Sequence, residues 1–312
     1  MRPILDKEVQ IEITNACQHS CSNCTRFCGM VAKPYFMTFE LFKKAVDSLQ
    51  TFPKLIGVMG GEPLLHPEFG KFCEYLASKR KPELCGLWSC FPEGREHYRE
   101  TIVKTFGSVF LNDQSRKDVL HAPILVSSEE MKYQEDGSEL KQWMKEYLWD
   151  RCWLGNCWSA SINPHGAFFC EEAAALSMLL ENDKASLAWN IDREPEWWTK
   201  SPIDYANQMR RYCSKCGVAM ALIKRFSVEE VEDISPKMFE RLKNISPKLK
   251  RGKYQINTEL KMHTDPRPTA TYKDQKYRDE IAKRYGMFLT VNKLGYNQPH
   301  LRKDWVEKVA AV

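Results

Sequence analysis

The sequence predicts an α/β fold built on a parallel β-sheet. Two observations carry that expectation. Short strand-like runs alternate with longer helical stretches through the first half of the chain, and strands separated by helices imply parallel neighbours joined by right-handed crossovers. Ligand-binding residue types also follow the first two strand-like runs, at the carboxyl edge where such sheets present their ligands.

The elements follow in order. The first strand is expected over 8–13, carried by Val9-Gln10-Ile11-Glu12-Ile13. A helix over 38–50 has Thr38 as N-cap and Glu40 in its first turn. The apolar run Leu55-Ile56-Gly57-Val58-Met59 reads as a buried strand, stopped by Gly60-Gly61. Helices at 67–80 and 95–105 and strands at 84–89, 107–112 and 122–127 continue the alternation, and a helix is expected at 138–149. The composition then changes. Strands Ser159–Ile162 and Ala167–Cys170 flank an Asn163-Pro164-His165-Gly166 turn, and Cys213-Ser214-Lys215-Cys216-Gly217 reads as a knuckle at a helix end.

At 312 residues the chain can hold one large domain or two with ample core. Its hydrophobic content is 43% with no apolar run near the length of a membrane span, so a soluble protein with no membrane partner is expected. No repeat or low-complexity segment occurs. No signal peptide precedes the first cysteines, so a reducing, cytoplasmic setting without disulfides is expected.

Cys17, Cys21 and Cys24 lie in one short loop after the first strand. Three thiolates suit an iron–sulfur cluster that leaves one iron open, and an open position marks a reactive metal. The plainer reading is a zinc site, which needs a fourth ligand such as Cys28. After the second strand, Gly60-Gly61-Glu62-Pro63 combines two glycines that permit close backbone approach, a carboxylate for a cationic amine, and a stiff exit.

With these two motifs one strand and one helix apart, the sequence resembles the radical SAM superfamily. The resemblance implies a partial (β/α)6 barrel in which S-adenosylmethionine chelates the fourth iron of a 4Fe–4S cluster on Cys17, Cys21 and Cys24. Reductive cleavage then yields a 5′-deoxyadenosyl radical that abstracts hydrogen from the substrate, fed by an electron donor such as flavodoxin or ferredoxin. Gly60, Gly61, Glu62 and Pro63 would hold the methionyl amino group. Ser89 and Asn112, at later strand ends, would reach the ribose; Asn112-Asp113 equally suits a plain turn. The family's aromatic residue before the third cysteine is here Asn23, a role Phe27 could take.

The second cysteine group resembles the twitch form of the SPASM extension, which implies a second 4Fe–4S cluster. Cys152, Cys157, Cys170, Cys213 and Cys216 compete for four places. The twitch spacing favours Cys152, Cys170, Cys213 and Cys216, with Cys157 as the alternative to Cys152; a zinc ribbon shares the pattern. Cys28, Cys73, Cys85 and Cys90 read as small buried hydrophobes, with Cys90, beyond a strand end, also a candidate hydrogen-atom donor.

From residue 236 onward there are eighteen Lys/Arg against eight Asp/Glu, so this segment carries +10 in a chain of net charge +5. Interleaved tyrosines and Trp305 suit single-stranded nucleic acid or nucleotides, or equally a solvated helical appendage with a charged helix at 274–285. The expected organisation is therefore a barrel over 1–150, a twitch-like domain over 151–225 and a basic, mostly helical extension over 226–312. The expected substrate is a small polar molecule (sugar, aminocyclitol, nucleotide or modified base) undergoing dehydrogenation, epimerisation or rearrangement by an oxidoreductase or isomerase. Alternatives are peptide modification, disfavoured by the lack of a recognition segment before the first strand, and a non-catalytic iron–sulfur or zinc protein that binds nucleic acid.

Overall fold

The computed structural model describes residues 1–112, 114, 119–133, 136–181, 186–220 and 222–260. The chain runs β1 (Glu8–Glu12), α1 (Phe39–Ser48), β2 (Ile56–Met59), α2 (Phe69–Lys79), β3 (Cys85–Ser89), α3 (Arg99–Thr105), β4 (Ser108–Leu111), β5 (Leu120–His121), β6 (Lys132–Tyr133), α4 (Gln142–Asp150) and α5 (Trp153–Cys157). It continues as β7 (Ser159–Asn163), β8 (Gly166–Phe168), α6 (Glu171–Leu180), α7 (Ala206–Cys213), β9 (Arg225–Phe226), β10 (Glu232–Ile234), α8 (Pro236–Leu242), α9 (Pro247–Lys250), β11 (Tyr254–Ile256) and β12 (Glu259–Leu260).

The fold is mixed α/β. Six strands form one sheet in the order β4-β3-β2-β1-β7-β8, parallel except for the last pair. Val9 and Ile11 of β1 are buried, and so are Gln10 and Glu12 on its other face. Parallel sheets are covered on both faces, which is why their strands read as near-continuous apolar runs. Thr38 caps α1 by accepting from Leu41 N at 3.3 Å, as its position before an amphipathic run requires.

Two expectations change. The run 122–127 is not a strand. Ile124, Leu125 and Val126 are buried, but Pro123 lacks an N–H, and the carbonyls of Ile124 and Leu125 accept from Gly217 N and Ser235 N in two separate places. The fifth parallel strand is instead β7, which pairs with β1 from Glu8–Ser159 to Ile11–Ile162. The hairpin that begins the second cysteine region thus continues the first sheet across residue 150.

Within the expected helical extension the described part holds two short helices and a short parallel pair, β10 with β11. The charged helix expected at 274–285, the rest of the basic tail beyond 260, and Asp113 lie outside the described residues. Among the described residues no helix is long and apolar enough to cross a membrane.

Candidate functional site

The cysteine loop and the Gly-Gly-Glu-Pro turn leave the carboxyl ends of neighbouring strands and bond directly to each other. Gly61 N donates to Thr14 O and Glu62 N to Ala16 O, both at 2.7 Å. A Cβ at Gly60 would meet Thr14 O at 2.1 Å, and one at Gly61 would meet Ala16 O at 2.3 Å. Real Cβ atoms do not come so close, so both glycines serve the approach of backbone to backbone. Thr14 Oγ1 in turn accepts from Ala16 N at 2.9 Å and donates to Tyr35 O at 2.6 Å, fixing the entry to the loop.

Glu62 is 1% exposed. Its Oε1 accepts from Ser89 Oγ at 2.7 Å and Leu64 N at 3.0 Å, and its Oε2 from Cys90 N at 2.8 Å. Burial pushes its carboxyl up, against hydrogen bonds from Cys90, Leu64 and Ser89 that favour the charged form. Ser89 Oγ also accepts from Phe91 N. Gln18, inside the cysteine loop, directs its amide to Cys90 Sγ at 2.6 Å. Asn112 closes the other side: its N–H donates to Ser89 O at 2.7 Å and its Oδ1 accepts from Gln114 at 2.7 Å. His121 stands 2.8 Å from Gln114 Oε1 and 2.6 Å from Ser22 O. A continuous hydrogen-bonded rim therefore runs from the cysteine loop past the ends of β2, β3 and β4 and back.

Among the thiols, hydrogen bonding from Cys28 holds Cys24 well below the usual range, while Cys28 is pushed well above it by its bonds to Cys17 and Cys24. Burial and the neighbouring Cys24 and Cys17 push Cys21 up. Cys28 is buried, as expected, and its thiol interacts with those of Cys17 and Cys24. Cys73 and Cys85 are buried away from it, as expected. Phe27 is 1% exposed and packs in the main core.

The outer side of the loop is gripped by residues 225–257. Asn23, held at φ 47°, exchanges two hydrogen bonds with Asp233, Nδ2 to Oδ2 at 2.8 Å and Asp233 N to Oδ1 at 2.9 Å. Lys248 donates to Cys21 O at 2.7 Å and pairs with Glu232 at 2.8 Å, both side chains fully buried. The contacts to the cysteine loop were not visible in the sequence, because Asn23–Asp233 and Cys21–Lys248 lie more than two hundred residues apart.

The second group converges. Cys152, Cys170, Cys213 and Cys216 line one cavity with about 360 Å³ of space outside protein atoms, part of it open to solvent. Cys152 precedes α5 and Cys157 ends it, five positions on, so the helix turns them to different faces. Cys157 is exposed and is not in that lining. Gly166, at φ 128°, lets the hairpin turn under the Trp189 carbonyl. Burial raises all four lining thiols.

Two ionisable side chains missed in the sequence stand here. Glu172 lines the cavity, is 2% exposed, and neither carboxyl oxygen has a hydrogen-bond partner among the described residues. Lys7 is 3% exposed beside the same cysteines. Between the two thiol groups, Arg26 lies 3.2 Å from Glu12 and 2.9 Å from Glu171, the latter pair too poorly aligned for a hydrogen bond.

Among the described residues no three His, Cys, Asp or Glu side chains are arranged to hold a single metal ion. The donor chemistry fits an iron–sulfur cluster at each group: soft thiols gathered on one loop in the first, and in the second four thiols around a common space.

No protein-family model matches the sequence, and no curated protein matches it. Solved structures that it resembles include BtrN in complex with AdoMet and 2-DOIA, at 14% identity and a TM-score of 0.41, covering 67% of this chain and 92% of that one. Selenomethionine BtrN in an open conformation matches at 13% identity and a TM-score of 0.39, covering 67% and 86%. The functional reading rests on the residues themselves.

Proposed function

We propose that the chain is a radical SAM enzyme with a second, four-cysteine iron–sulfur centre. The observation that carries this is the pair of bonds from Gly61 N and Glu62 N to the cysteine loop, which makes the two motifs one site at the sheet's carboxyl edge. When bound, the cluster and S-adenosylmethionine would supply a 5′-deoxyadenosyl radical for hydrogen abstraction. Cys17, Cys21 and Cys24 would hold the cluster, and Glu62, fixed by Ser89 and Leu64, would receive the methionyl ammonium. Asn112 and Ser89, on the hydrogen-bonded rim, would reach the ribose. Cys90, bonded to Gln18 through its thiol and to Glu62 through its N–H, would return a hydrogen atom to a substrate radical.

Four thiols around the second cavity would leave no iron open to substrate, which suits passage of an electron, as in a dehydrogenation. The substrate class remains the small polar molecules named above, with nucleic acid reached through the basic tail a lesser option. The reading carries three parts, a partial barrel, a twitch-like region and a basic extension.

One observation favours a second reading. Cys28, buried four residues after Cys24, would supply a fourth thiol to a structural zinc site if metal binding drew the four thiols together. Metal analysis after anaerobic reconstitution separates the two. The enzyme reading expects about eight iron per chain, falling to about four when Cys17, Cys21 and Cys24 are all changed to Ala, and no loss in Cys28→Ala. Bound zinc, or cluster loss in Cys28→Ala, supports the structural site.

A further inference from the structure

We propose that Lys7 is the countercharge of the group held by Cys152, Cys170, Cys213 and Cys216, and that its ammonium holds the reduction potential of that group up. This rests on the reading that the four cysteines bind an iron–sulfur cluster. Lys7 precedes β1 and its Nζ donates to Phe169 O at 3.1 Å, one residue before Cys170. The rings of Phe169 and Tyr205 lie 5.6 Å from Nζ. Among the described residues no carboxylate pairs with it, although nearly all of the side chain is buried.

A buried ammonium is costly unless an opposite charge compensates it. One carbonyl and two ring faces are weak compensation. Burial pushes the Lys7 ammonium down, and the groups that oppose this and favour the cation are the thiols of Cys170, Cys152, Cys213 and Cys157. Neutral thiols would not offset it, whereas four thiolates around an iron–sulfur core carry net negative charge. Lys7 then meets a strong compensating negative charge when the site is loaded. A fixed positive charge near a redox centre favours the more negative, reduced form, and burial leaves that effect little screened by salt. Lys7 does not line the cavity, so it would act as a tuning charge behind Phe169 and not as a ligand.

The test is an EPR-monitored reductive titration of the reconstituted full chain, comparing wild type with Lys7→Met and Lys7→Arg. At a fixed potential the reduced-to-oxidised ratio of the second cluster should fall at least tenfold in Lys7→Met, a shift of about 59 mV for one electron. It should return toward wild type in Lys7→Arg, with the signal of the other cluster unmoved. An unchanged ratio in Lys7→Met with iron content intact would overturn the proposal. A wild-type protein with zinc at the four cysteines would overturn the underlying reading instead. Should Lys7→Met fail to fold, pulsed EPR of wild-type protein carrying ε-15N lysine decides the matter. A 15N coupling to the reduced second cluster, absent from Lys7→Arg, supports the proposal, and no coupling contradicts it.

Discussion

Asn23 and Asp233, 210 residues apart, hold each other by a reciprocal pair of hydrogen bonds, 2.8 and 2.9 Å long. Asp233 also takes both Arg225 Nε and Nη2, at 2.9 and 2.8 Å. The loop that carries the three cysteines is therefore braced from outside by the far end of the described chain.

Removing that brace should loosen the loop before the rest of the fold. Asp233→Ala removes the carboxylate that accepts from Asn23 Nδ2, leaving only the bond from the backbone N–H of residue 233 to Asn23 Oδ1, and strips Arg225 of its main carboxylate, costing about 2–4 kcal/mol. Urea denaturation should register the loss. Iron at the first cluster should become labile while the second is retained; equal loss at both would contradict a local brace.

Glu62→Gln tests the turn. The amide keeps one acceptor but exchanges the oxygen facing Cys90 N for a donor, and it removes the charge meant for the methionyl ammonium. SAM affinity should fall by about 1.5–3 kcal/mol with both clusters kept. Calorimetric titration checks this, and an unchanged affinity would reduce the turn to a structural support of the cysteine loop.

The second cavity predicts an asymmetry between two nearby cysteines. Cys152→Ala should lose or destabilise the second cluster, whereas Cys157→Ala, altering an exposed thiol outside the lining, should leave the iron count intact. Cluster loss should also loosen the link between the hairpin and the Cys213–Cys216 knuckle, since a cluster held by both would couple binding to local folding. Limited proteolysis reads that change.

Burial pushes Glu8 up to about 7, with Lys54 opposing and Glu171 adding to the shift. Below about pH 4.5 the carboxyl is protonated whether folded or unfolded and costs nothing. As pH rises toward 7 the unfolded chain releases its proton first, so stability falls, and above about 7 the full penalty of up to about 3 kcal/mol is present. Glu8→Gln should remove this slope. Its stability gain over wild type, measured by denaturation at several pH values, should grow from pH 5 to 7; a constant difference would contradict the shift.

The alternation of strands and helices was legible because periodicity is local, and both motifs because each is contiguous. The sequence showed Cys152, Cys170, Cys213 and Cys216 only as a spacing, with Cys157 competing, whereas their approach to one cavity is set by tertiary packing. The run 122–127 misled, since Ile124, Leu125 and Val126 have the apolar character of a strand but are buried without a ladder. Lys7, Glu172, Lys248 and Asp233 could not be found in the sequence. Nothing near them distinguishes a buried charge from a solvated one, and their partners are set by tertiary contacts.

The most direct measurement is 5′-deoxyadenosine formation from S-adenosylmethionine under anaerobic reduction. The wild-type chain should produce it, and the chain with Cys17, Cys21 and Cys24 changed together to Ala should not. A fully loaded wild-type protein that forms no 5′-deoxyadenosine with or without candidate substrates would contradict the account.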